Sequence, residues 1–449
     1  MTKLYAHFFK SSLMDRRSFL NRTGIAMGAG IGLPALSAFE SITPREIFDN
    51  DIPEGWGDLR EMFQLEPGRI HMALMLLASH PRPVKNAIER HRQNFNNNPA
   101  EYWENNFMTA EPRVIAAAAE YLNADPSEVA LTDSTIQGLG ILYTGFKFKE
   151  GEEILTTIHD HYSTEKSLEF GAQRSGAKIN RIALYDEPSQ VSADEVLNRI
   201  KKNITPKTRL VAVTWVHSCT GVKLPIKKIS GLIKEVNSAR AEEDRIYFAV
   251  DGVHAFGLDN IDIQDLGCDF LAAGTHKWLF GPRGTGILFA KKDAHDMVVP
   301  VIPAFSPAYG AWLGLVPEDH LNFSHLNSPG GFHAFEHRWS LDEAFKLHMN
   351  TGKENIATRS KKLNTMLKEG MSEMAHVRLL TPVTDEYSEA INGFEIEGSG
   401  PDETVKKLHE KKIIASSSPY RKSYARLTPS VINTEEEVMQ CLKALEELA

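Results

Sequence analysis

The segment AAGTHKWLFGPRGTGILFA, residues 272–290, carries the lysine around which the chain is organised. It contains the end of one apolar run, a turn rich in small residues that holds Lys277, and a second apolar run at 284–290. Short apolar runs bounded by glycine and polar residues are typical of buried strands. We therefore expect Lys277 to follow a strand in a narrow turn, in surroundings packed more tightly than those of an exposed lysine.

The same alternation continues through the middle of the chain. Short, buried strands are predicted at 152–157, 209–216, 246–251, 269–274 and 284–290. Helical patterns such as 192–200 lie between several of them, which predicts an α/β fold with a mainly parallel sheet covered by helices on both faces. After about residue 340 the pattern changes to one long helix, roughly 340–375, then weaker strands and a terminal helix. That change predicts a smaller C-terminal α+β domain.

Composition is that of a globular protein. The chain is 42% hydrophobic and 24% charged. Its length of 449 residues suffices for two or three domains. The net charge of −9 argues against non-specific nucleic-acid binding. Three scattered cysteines are too few for a disulfide framework or a zinc cluster, and we predict no metal site.

The N-terminus suggests a compartment. Arg16 and Arg17 precede a weakly apolar, glycine-rich run, as in a twin-arginine export signal with a small-residue cleavage region near 35–38. The run is too short and too rich in glycine for stable membrane insertion. We predict a signal peptide at 1–38, export by the twin-arginine translocation machinery and a periplasmic location. A disordered tail or a capping helix of a cytoplasmic protein is the alternative.

Two strand ends carry groups suited to one cofactor. Asp251 ends the run IYFAVD, and Lys277 comes one strand–loop–strand unit later. A lysine amine that is held close and partly desolvated forms imines with carbonyls. A carboxylate keeps a pyridine nitrogen protonated, so the pair would serve pyridoxal phosphate. These two residues alone favour a plain salt bridge.

Three further segments favour the interpretation of Lys277 and Asp251 as a pyridoxal-phosphate site. Ser134 and Thr135 stand directly before a predicted helix, where hydroxyls and backbone N–H groups make a phosphate cup. In HDHYS, His159 and His161 fit a surface loop, an aromatic lid over a flat cofactor or, least well, a metal pair. Arg426 ends a strand-like run and could grip a carboxylate with two parallel hydrogen bonds, or lie on the surface.

In this order the segments resemble the class V aminotransferase superfamily of fold type I pyridoxal-phosphate enzymes, which includes cysteine desulfurases and isopenicillin N epimerase-like proteins. The resemblance covers roughly residues 66–449, and its most specific motif is THKWLFGPRGTGILFA. It implies pyridoxal 5'-phosphate as cofactor, a homodimer with the site at the subunit interface, and three segments after the signal. These are an N-terminal arm joining the small domain at 39–65, a cofactor-binding large domain at 66–340 and a small domain at 341–449.

The resemblance also implies roles for single residues. Lys277 matches the lysine that forms the imine and moves the Cα proton, Asp251 the acid facing the pyridine nitrogen, and His161 the histidine stacked on the ring. Arg426 matches the arginine that binds the substrate carboxylate. The remaining cofactor contacts implied are Ser134, Thr135 and Ile136 in the phosphate cup, His276 and Thr275 beside the lysine, His254 near the ring hydroxyl, and Ser340 as a hydroxyl reaching the partner's phosphate.

Several positions depart from the family pattern. Gly274 stands where many relatives have a phosphate-binding serine, a loss for which Thr275 would compensate, and Ser218 replaces a common asparagine. Trp339 stands where a glycine usually precedes the interface hydroxyl. The loop IIASSSPYRKSYAR, 413–426, lacks the cysteine that desulfurases carry before the arginine. Because sulfur transfer needs a thiolate there, a standard desulfurase is disfavoured.

The sequence therefore predicts an exported pyridoxal-phosphate enzyme acting at Cα of an amino acid or amino-acid-like group through Lys277. Transamination, epimerisation and elimination all remain open, and the resemblance extends to exported proteins that tailor siderophore or peptide side chains. One alternative is a cytoplasmic carbon–sulfur lyase or desulfurase-like enzyme. Another is a non-catalytic relative that acts as a binding protein.

Overall fold

The computed structural model describes residues 53–449, so the predicted signal and most of the predicted arm lie outside the described residues. The strands are β1 (Ile70–His71), β2 (Val129–Thr132), β3 (Glu153–Thr157), β4 (Lys178–Ile182), β5 (Thr208–Thr214), β6 (Tyr247–Asp251), β7 (Phe270–Gly274), β8 (Gly286–Ala290), β9 (Val377–Leu379), β10 (Asn392–Ile396), β11 (Ile413–Ile414), β12 (Ser416–Ser417) and β13 (Ala425–Leu427). The helices are α1 (Trp56–Glu61), α2 (Arg82–Asn97), α3 (Pro99–Leu122), α4 (Thr135–Gly145), α5 (Tyr162–Ser175), α6 (Ala193–Asn203), α7 (Ile226–Asn237), α8 (Ile263–Leu266), α9 (Pro307–Trp312), α10 (Phe323–Asn327), α11 (Phe335–Arg338), α12 (Leu341–Thr351), α13 (Lys353–Ser372), α14 (Pro401–Glu410) and α15 (Glu435–Glu446).

Seven strands form the central sheet, in the order β2-β8-β7-β6-β5-β3-β4. The pairs from β7 through β4 are parallel, and only β8 runs against its two neighbours. All five predicted strands lie in this sheet, so the α/β class with a mainly parallel sheet is confirmed. The carboxyl ends of β3, β5, β6 and β7 meet at one edge of the sheet.

Strand β5 shows how the two faces are covered. Val211 and Val213 belong to a core cluster with the apolar faces of α3, α6, α7 and α12. Leu210 and Ala212 point to the opposite face and pack against α4 and α5. Because successive side chains of a strand alternate between faces, a wholly apolar strand needs helices on both sides.

A second, antiparallel sheet has the order β12-β13-β10-β9 and packs against α13, α14 and α15. The predicted helix 340–375 is wrong in one respect, because the structure divides it into α12 and α13. Gly352 separates the two with φ of 89°, outside the helical region and in a conformation that glycine adopts at little cost. The described part of the arm reaches this unit, since Arg60 pairs with Glu437 of α15 at 2.5 Å.

The segment 217–223 joins the two sheets. Gly221 has φ of 74°, and a Cβ there would lie 1.8 Å from the carbonyl oxygen of Ile391. Thr381 donates to the carbonyl of Thr220 at 2.6 Å, and Lys223 pairs with Glu389 at 2.9 Å. The strand ends that carry the site are thus held directly against the second sheet. Among the helices of residues 53–449, none is both long and apolar enough to cross a bilayer.

Candidate active site

Lys277 lies in a compact turn just after β7. The backbone N–H of Phe280 donates to the carbonyl of Lys277 at 3.1 Å, and that of Gly281 donates to Thr275 at 2.8 Å. Phe280 adopts φ of 59°, a left-handed conformation that is costly for a bulky residue, and its ring packs on Phe63. The turn therefore holds the lysine in place at the edge of the sheet.

A tryptophan and a histidine determine what the Lys277 amine faces. The indole N–H of Trp278 donates to Nδ1 of His254 at 3.3 Å, so the neutral imidazole carries its proton on Nε2. Burial and the positive charges of Lys277 and Arg426 hold the pKa of His254 well below its ordinary value. His254 Nε2 lies 3.3 Å from Lys277 Nζ, and its proton can be donated only to an uncharged amine. Burial in turn lowers the pKa of Lys277 to about 8.

Asp251 supplies a buried carboxyl at the end of β6. It is 1% exposed, accepts from Thr164 Oγ1 at 3.1 Å and from the backbone N–H of Val253 at 3.2 Å. Burial raises its pKa to about 6, against the lowering by these hydrogen bonds and by Lys277. At neutral pH this leaves a carboxylate that can hold a proton on a neighbouring ring nitrogen.

His161 is oriented by the start of α5. Its Nδ1 accepts from the backbone N–H of Ser163 at 3.3 Å, and burial followed by the charge of Lys277 lowers the pKa of the ring. Asp160 anchors the loop, because its carboxylate accepts from Thr157 Oγ1 at 2.7 Å and from the backbone N–H of Thr214 at 2.9 Å. His161 therefore presents a neutral ring to the same edge as Lys277.

His159 turns away from this group. Its ring stacks on Tyr185 with centroids 4.0 Å apart, and its Nε2 accepts from the backbone of Leu184. Within residues 53–449, no group of three potential metal ligands forms around it or elsewhere.

The predicted phosphate cup lies at the start of α4. Ser134 caps the helix by accepting from the backbone N–H of Gln137 at 3.2 Å. Thr135 Oγ1 accepts from the backbone N–H of Gly274 at 2.7 Å, which ties the cup to the end of β7. A Cβ at Gly274 would lie 3.0 Å from Thr135 Oγ1, so glycine keeps this space open. The first N–H groups of the helix, including that of Ile136, remain available to an anion.

Three predicted contacts are placed less directly. The His276 ring lies beside Gly274, where a Cβ would meet its Cε1 at 2.9 Å. Thr275 is wholly buried and its hydroxyl pairs with that of Thr285 at 2.5 Å. Ser340 is also wholly buried, and its hydroxyl donates to the carbonyl of Glu336 at 2.7 Å. Both hydroxyls are thus engaged within the chain, and their contacts to the cofactor stay predictions.

Arg426 is 1% exposed and reaches the site from β13. Its Nη1 donates to the carbonyl of Ser218 at 2.7 Å and its Nη2 to that of Ser417 at 2.9 Å. Among residues 53–449 it has no carboxylate partner, and its Nε is buried without any partner. Burial lowers its pKa to about 10, and its charge contributes to lowering the pKa of Lys277. A buried cation without a carboxylate partner is stabilised when an anion binds to it.

The sequence model of the family Aminotransferase class-V matches residues 78–420. The chain belongs to the class V aminotransferase family. A probable cysteine desulfurase of Pyrococcus abyssi is 27% identical over 347 residues, 74% of this chain and 81% of that protein. Isopenicillin N epimerase of Amycolatopsis lactamdurans is 24% identical over 359 residues, 77% of this chain and 85% of that protein. A variant of C-DES solved with glycine covalently linked to its PLP cofactor shares the fold, with a TM-score of 0.76 at 22% identity, covering 86% of this chain and 99% of that one.

Class V aminotransferases are PLP-dependent enzymes of fold type I, and this chain is one of them. Its residues fit the cofactor on chemical grounds. Lys277 offers an amine with a pKa of about 8, and Asp251 offers a buried carboxylate. The space kept open by Gly274 adjoins the free N–H groups of α4, as a phosphate would require.

Two residues beside the site were not predicted from the sequence to be functional. Tyr420 lies edge-on to His161, with ring centroids 5.8 Å apart, and its hydroxyl contacts that of Ser218 at 2.7 Å. Cys219 lies against the loop before Arg426, with Sγ 3.5 Å from Ser418 Oγ. Burial raises the pKa of the Cys219 thiol, which keeps it protonated. The only sequence signal for these contacts was that both segments sit next to predicted site residues.

Proposed function

We propose that this PLP-dependent enzyme acts at the Cα of an amino acid, or of the amino-acid-like end of a larger molecule. The observation that carries the proposal is Arg426, a buried guanidinium with no carboxylate partner in residues 53–449, close to the Lys277 amine. A substrate with an amine near Lys277 and a carboxylate on Arg426 would satisfy both groups at once. Its Cα would then lie between them.

The chain's own residues divide the work. Bound PLP supplies an electron-withdrawing ring that stabilises negative charge at Cα. Lys277 Nζ, whose pKa burial lowers to about 8, accepts the Cα proton in its uncharged form and returns it. Asp251 holds the proton on the ring nitrogen, and His161 covers the ring face and excludes water. Arg426 orients the carboxylate.

A spectral screen tests this function. Purified protein should be yellow, and its absorbance should change with the right amino acid or peptide-like amine but not with a matched amine that lacks the carboxylate. Deuterium exchange at Cα without keto-acid product would identify an epimerase, and keto-acid formation a transaminase. Intact protein that cannot be reconstituted with PLP would refute the proposal.

Carbon–sulfur cleavage is the second candidate. It is favoured by relatives named cysteine desulfurase and by a solved structure titled as the complex of the cystine C–S lyase C-DES with cysteine persulfide. Elimination needs only Cα deprotonation, whereas desulfuration needs an enzyme thiolate, which loop 413–426 lacks. Sulfide and pyruvate release that persists in Cys219→Ala would support a lyase. Formation of alanine, with sulfide released only when a reductant is added and both lost in Cys219→Ala, would identify Cys219 as the sulfur acceptor.

A homodimer is proposed on the apolar surface around the site. Leu76, Leu77, Ile136, Ile158 and Tyr162 are 46% to 65% exposed. They flank the Lys277 turn, the cup and His161, and apolar side chains gathered in this way mark interaction surfaces. A second copy of this chain placed there would close the site.

Export and domain division are also proposals. The twin-arginine route transports folded proteins, so the enzyme could bind PLP in the cytoplasm before reaching the periplasm. A reporter fused to residues 1–45 should be exported, and changing Arg16 and Arg17 to lysine should abolish export.

The division into 66–340 and 341–449 would be supported if limited proteolysis released two folded fragments.

A further inference from the structure

Two buried hydroxyls near the Asp251 carboxylate lack a hydrogen-bond partner. Tyr143 lies on α4 and is 0% exposed, and its Oη has no partner among residues 53–449. Thr214 ends β5 and is 4% exposed, and in the same described part of the chain its Oγ1 has no partner either. Because a buried hydroxyl without a partner is costly, each of these two groups requires one.

The fold places both hydroxyls on the face of the sheet that carries the Asp251 side chain. Thr214 pairs in register with Asp251 on the neighbouring strand β6, so their side chains point to the same face. Ala212 and Ala249, two residues earlier on each strand, pack with Tyr143 in one apolar cluster on that face. Burial first, and then the charge of Asp251, raises the pKa of the Tyr143 phenol, which keeps it protonated and able to donate.

The neighbouring carboxylates supply matching acceptors. A carboxylate offers about four acceptor positions. Asp251 uses one on each oxygen, accepting from Thr164 Oγ1 at 3.1 Å and from the backbone N–H of Val253 at 3.2 Å. Asp160 lies on the other side of β5 and accepts from the backbone N–H of Thr214 at 2.9 Å. Within residues 53–449, Asp251 therefore has acceptor positions left for a ring nitrogen and for one further donor.

One water molecule matches this set of groups. Buried waters typically bind about three polar groups that would otherwise be unpaired, accepting from some and donating to others. A water here can accept from Tyr143 Oη and Thr214 Oγ1 and donate to Asp251. Tyr143 cannot easily shift to make a direct bond, because α4 and α5 are in close contact at this level. A Cβ at Gly171 of α5 would lie 2.2 Å from the Tyr143 carbonyl oxygen.

We propose that Tyr143 and Thr214 hold one buried water molecule against the Asp251 carboxylate, and that both are positioning residues that act through this water. By donating to Asp251, the water favours the carboxylate over the protonated acid. The carboxylate in turn keeps the proton on the nitrogen of the bound ring. Burial raises the pKa of Asp251, the charge of Lys277 lowers it and that of Asp160 raises it, so the water acts in the same direction as Lys277.

The test uses the holoenzyme loaded with PLP that carries an NMR-active nitrogen isotope in its ring. Wild type should show the signal of a protonated ring nitrogen. Tyr143→Phe, which removes only the hydroxyl, should shift this signal toward that of the unprotonated ring, because Asp251 then binds the proton more strongly. Thr214→Val should shift it in the same direction, and Thr214→Ser, which keeps the hydroxyl, should restore the wild-type signal. Electron density at high resolution should show the water in wild type and not in Tyr143→Phe.

Tyr121→Phe is the matched control. Tyr121 is also a buried tyrosine, 1% exposed, but it packs against Phe256 and Phe345 on the opposite face of the sheet from Asp251. Its replacement should leave the nitrogen signal unchanged. An equal shift in Tyr121→Phe, an unchanged signal in Tyr143→Phe, or a wild-type map without density between Tyr143 and Asp251 would overturn the proposal. None of these measurements needs a substrate, so such a result would leave the proposed action at Cα standing.

Discussion

At the scale of single residues, the protonation state of Lys277 is governed first by burial, and the geometry adds a hydrogen bond to His254. Trp278 is adjacent in sequence but acts through His254, which lies on the preceding strand end. The indole N–H occupies Nδ1 of the imidazole and so directs the Nε2 proton toward the lysine amine. Burial acts in the same direction, because it disfavours the charged ammonium.

Trp278→Phe should move the pH dependence of activity. Without the indole N–H, His254 can place its proton on Nδ1 and accept from a charged Lys277, which raises the pKa of the lysine above about 8. The rising limb of activity against pH should then shift upward by about one pH unit, as for a hydrogen bond worth about 1 kcal/mol. Rate measurements from pH 6 to 10 would show it.

Trp339→Phe is the matched control for this prediction. Trp339 is wholly buried like Trp278, but its indole N–H has no partner among residues 53–449. Its replacement should leave the limb in place. A shift of equal size in both variants would mean that lost packing, and not the Trp278–His254 hydrogen bond, controls Lys277.

At the scale of elements, the segment 217–223 connects the strand ends of the central sheet to the second sheet. Its path needs a glycine, because Gly221 combines a positive φ with close approach to the Ile391 carbonyl. Ser218 and Cys219 project from the same segment toward the loop that carries Tyr420. A change in its backbone would therefore affect both stability and the substrate site.

Gly221→Ala should lower the free energy of unfolding by more than about 1–2 kcal/mol. A left-handed conformation alone costs an alanine about that much, and the Cβ would also overlap the Ile391 carbonyl. Gly231→Ala is the control, since Gly231 lies within helix α7 with open space around a Cβ. That change should be neutral or stabilising by about 0.5–1 kcal/mol. Equal unfolding midpoints in urea for the two variants would show that the backbone at 221 does not require glycine.

At the scale of the whole molecule, the site lies at an edge bordered by exposed apolar side chains. Leu77 and Ile158 are 52% and 63% exposed. Exposed apolar side chains gathered around a site mark interaction surfaces. A second copy of the chain would cover them and keep water from the bound cofactor.

A variant with Leu77 and Ile158 both changed to aspartate should sediment as one chain, whereas wild type should sediment as two. Buried carboxylates facing each other across a symmetric interface would repel and would lose hydration. Met439→Asp is the control, because Met439 is 56% exposed on α15 and far from the site in the fold. A monomeric wild type, or a dimeric double variant, would place the subunit contact elsewhere or remove it.

Much of the fold followed from local patterns. The five predicted strands all formed, because short apolar runs between glycine and polar residues bury equally well on either face of a covered sheet. Lys277, Asp251 and His161 came together because each follows the carboxyl end of a strand in that sheet. The long helix at 340–375 was divided because the apolar periodicity continues across Gly352, whose backbone conformation the pattern does not reveal.

The sequence by itself determined the strands of the sheet, the residues at their ends and the membership of the chain in a PLP-dependent family. Those properties depend on neighbours along the chain, which a linear pattern records. The tertiary structure alone decided which hydrogen bonds the site contains. Ser218 and Tyr420 are 202 residues apart, and His254 meets Lys277 across 23 residues. Such contacts, together with burial, determine protonation and the direction of each free hydrogen, because both depend on neighbours in space.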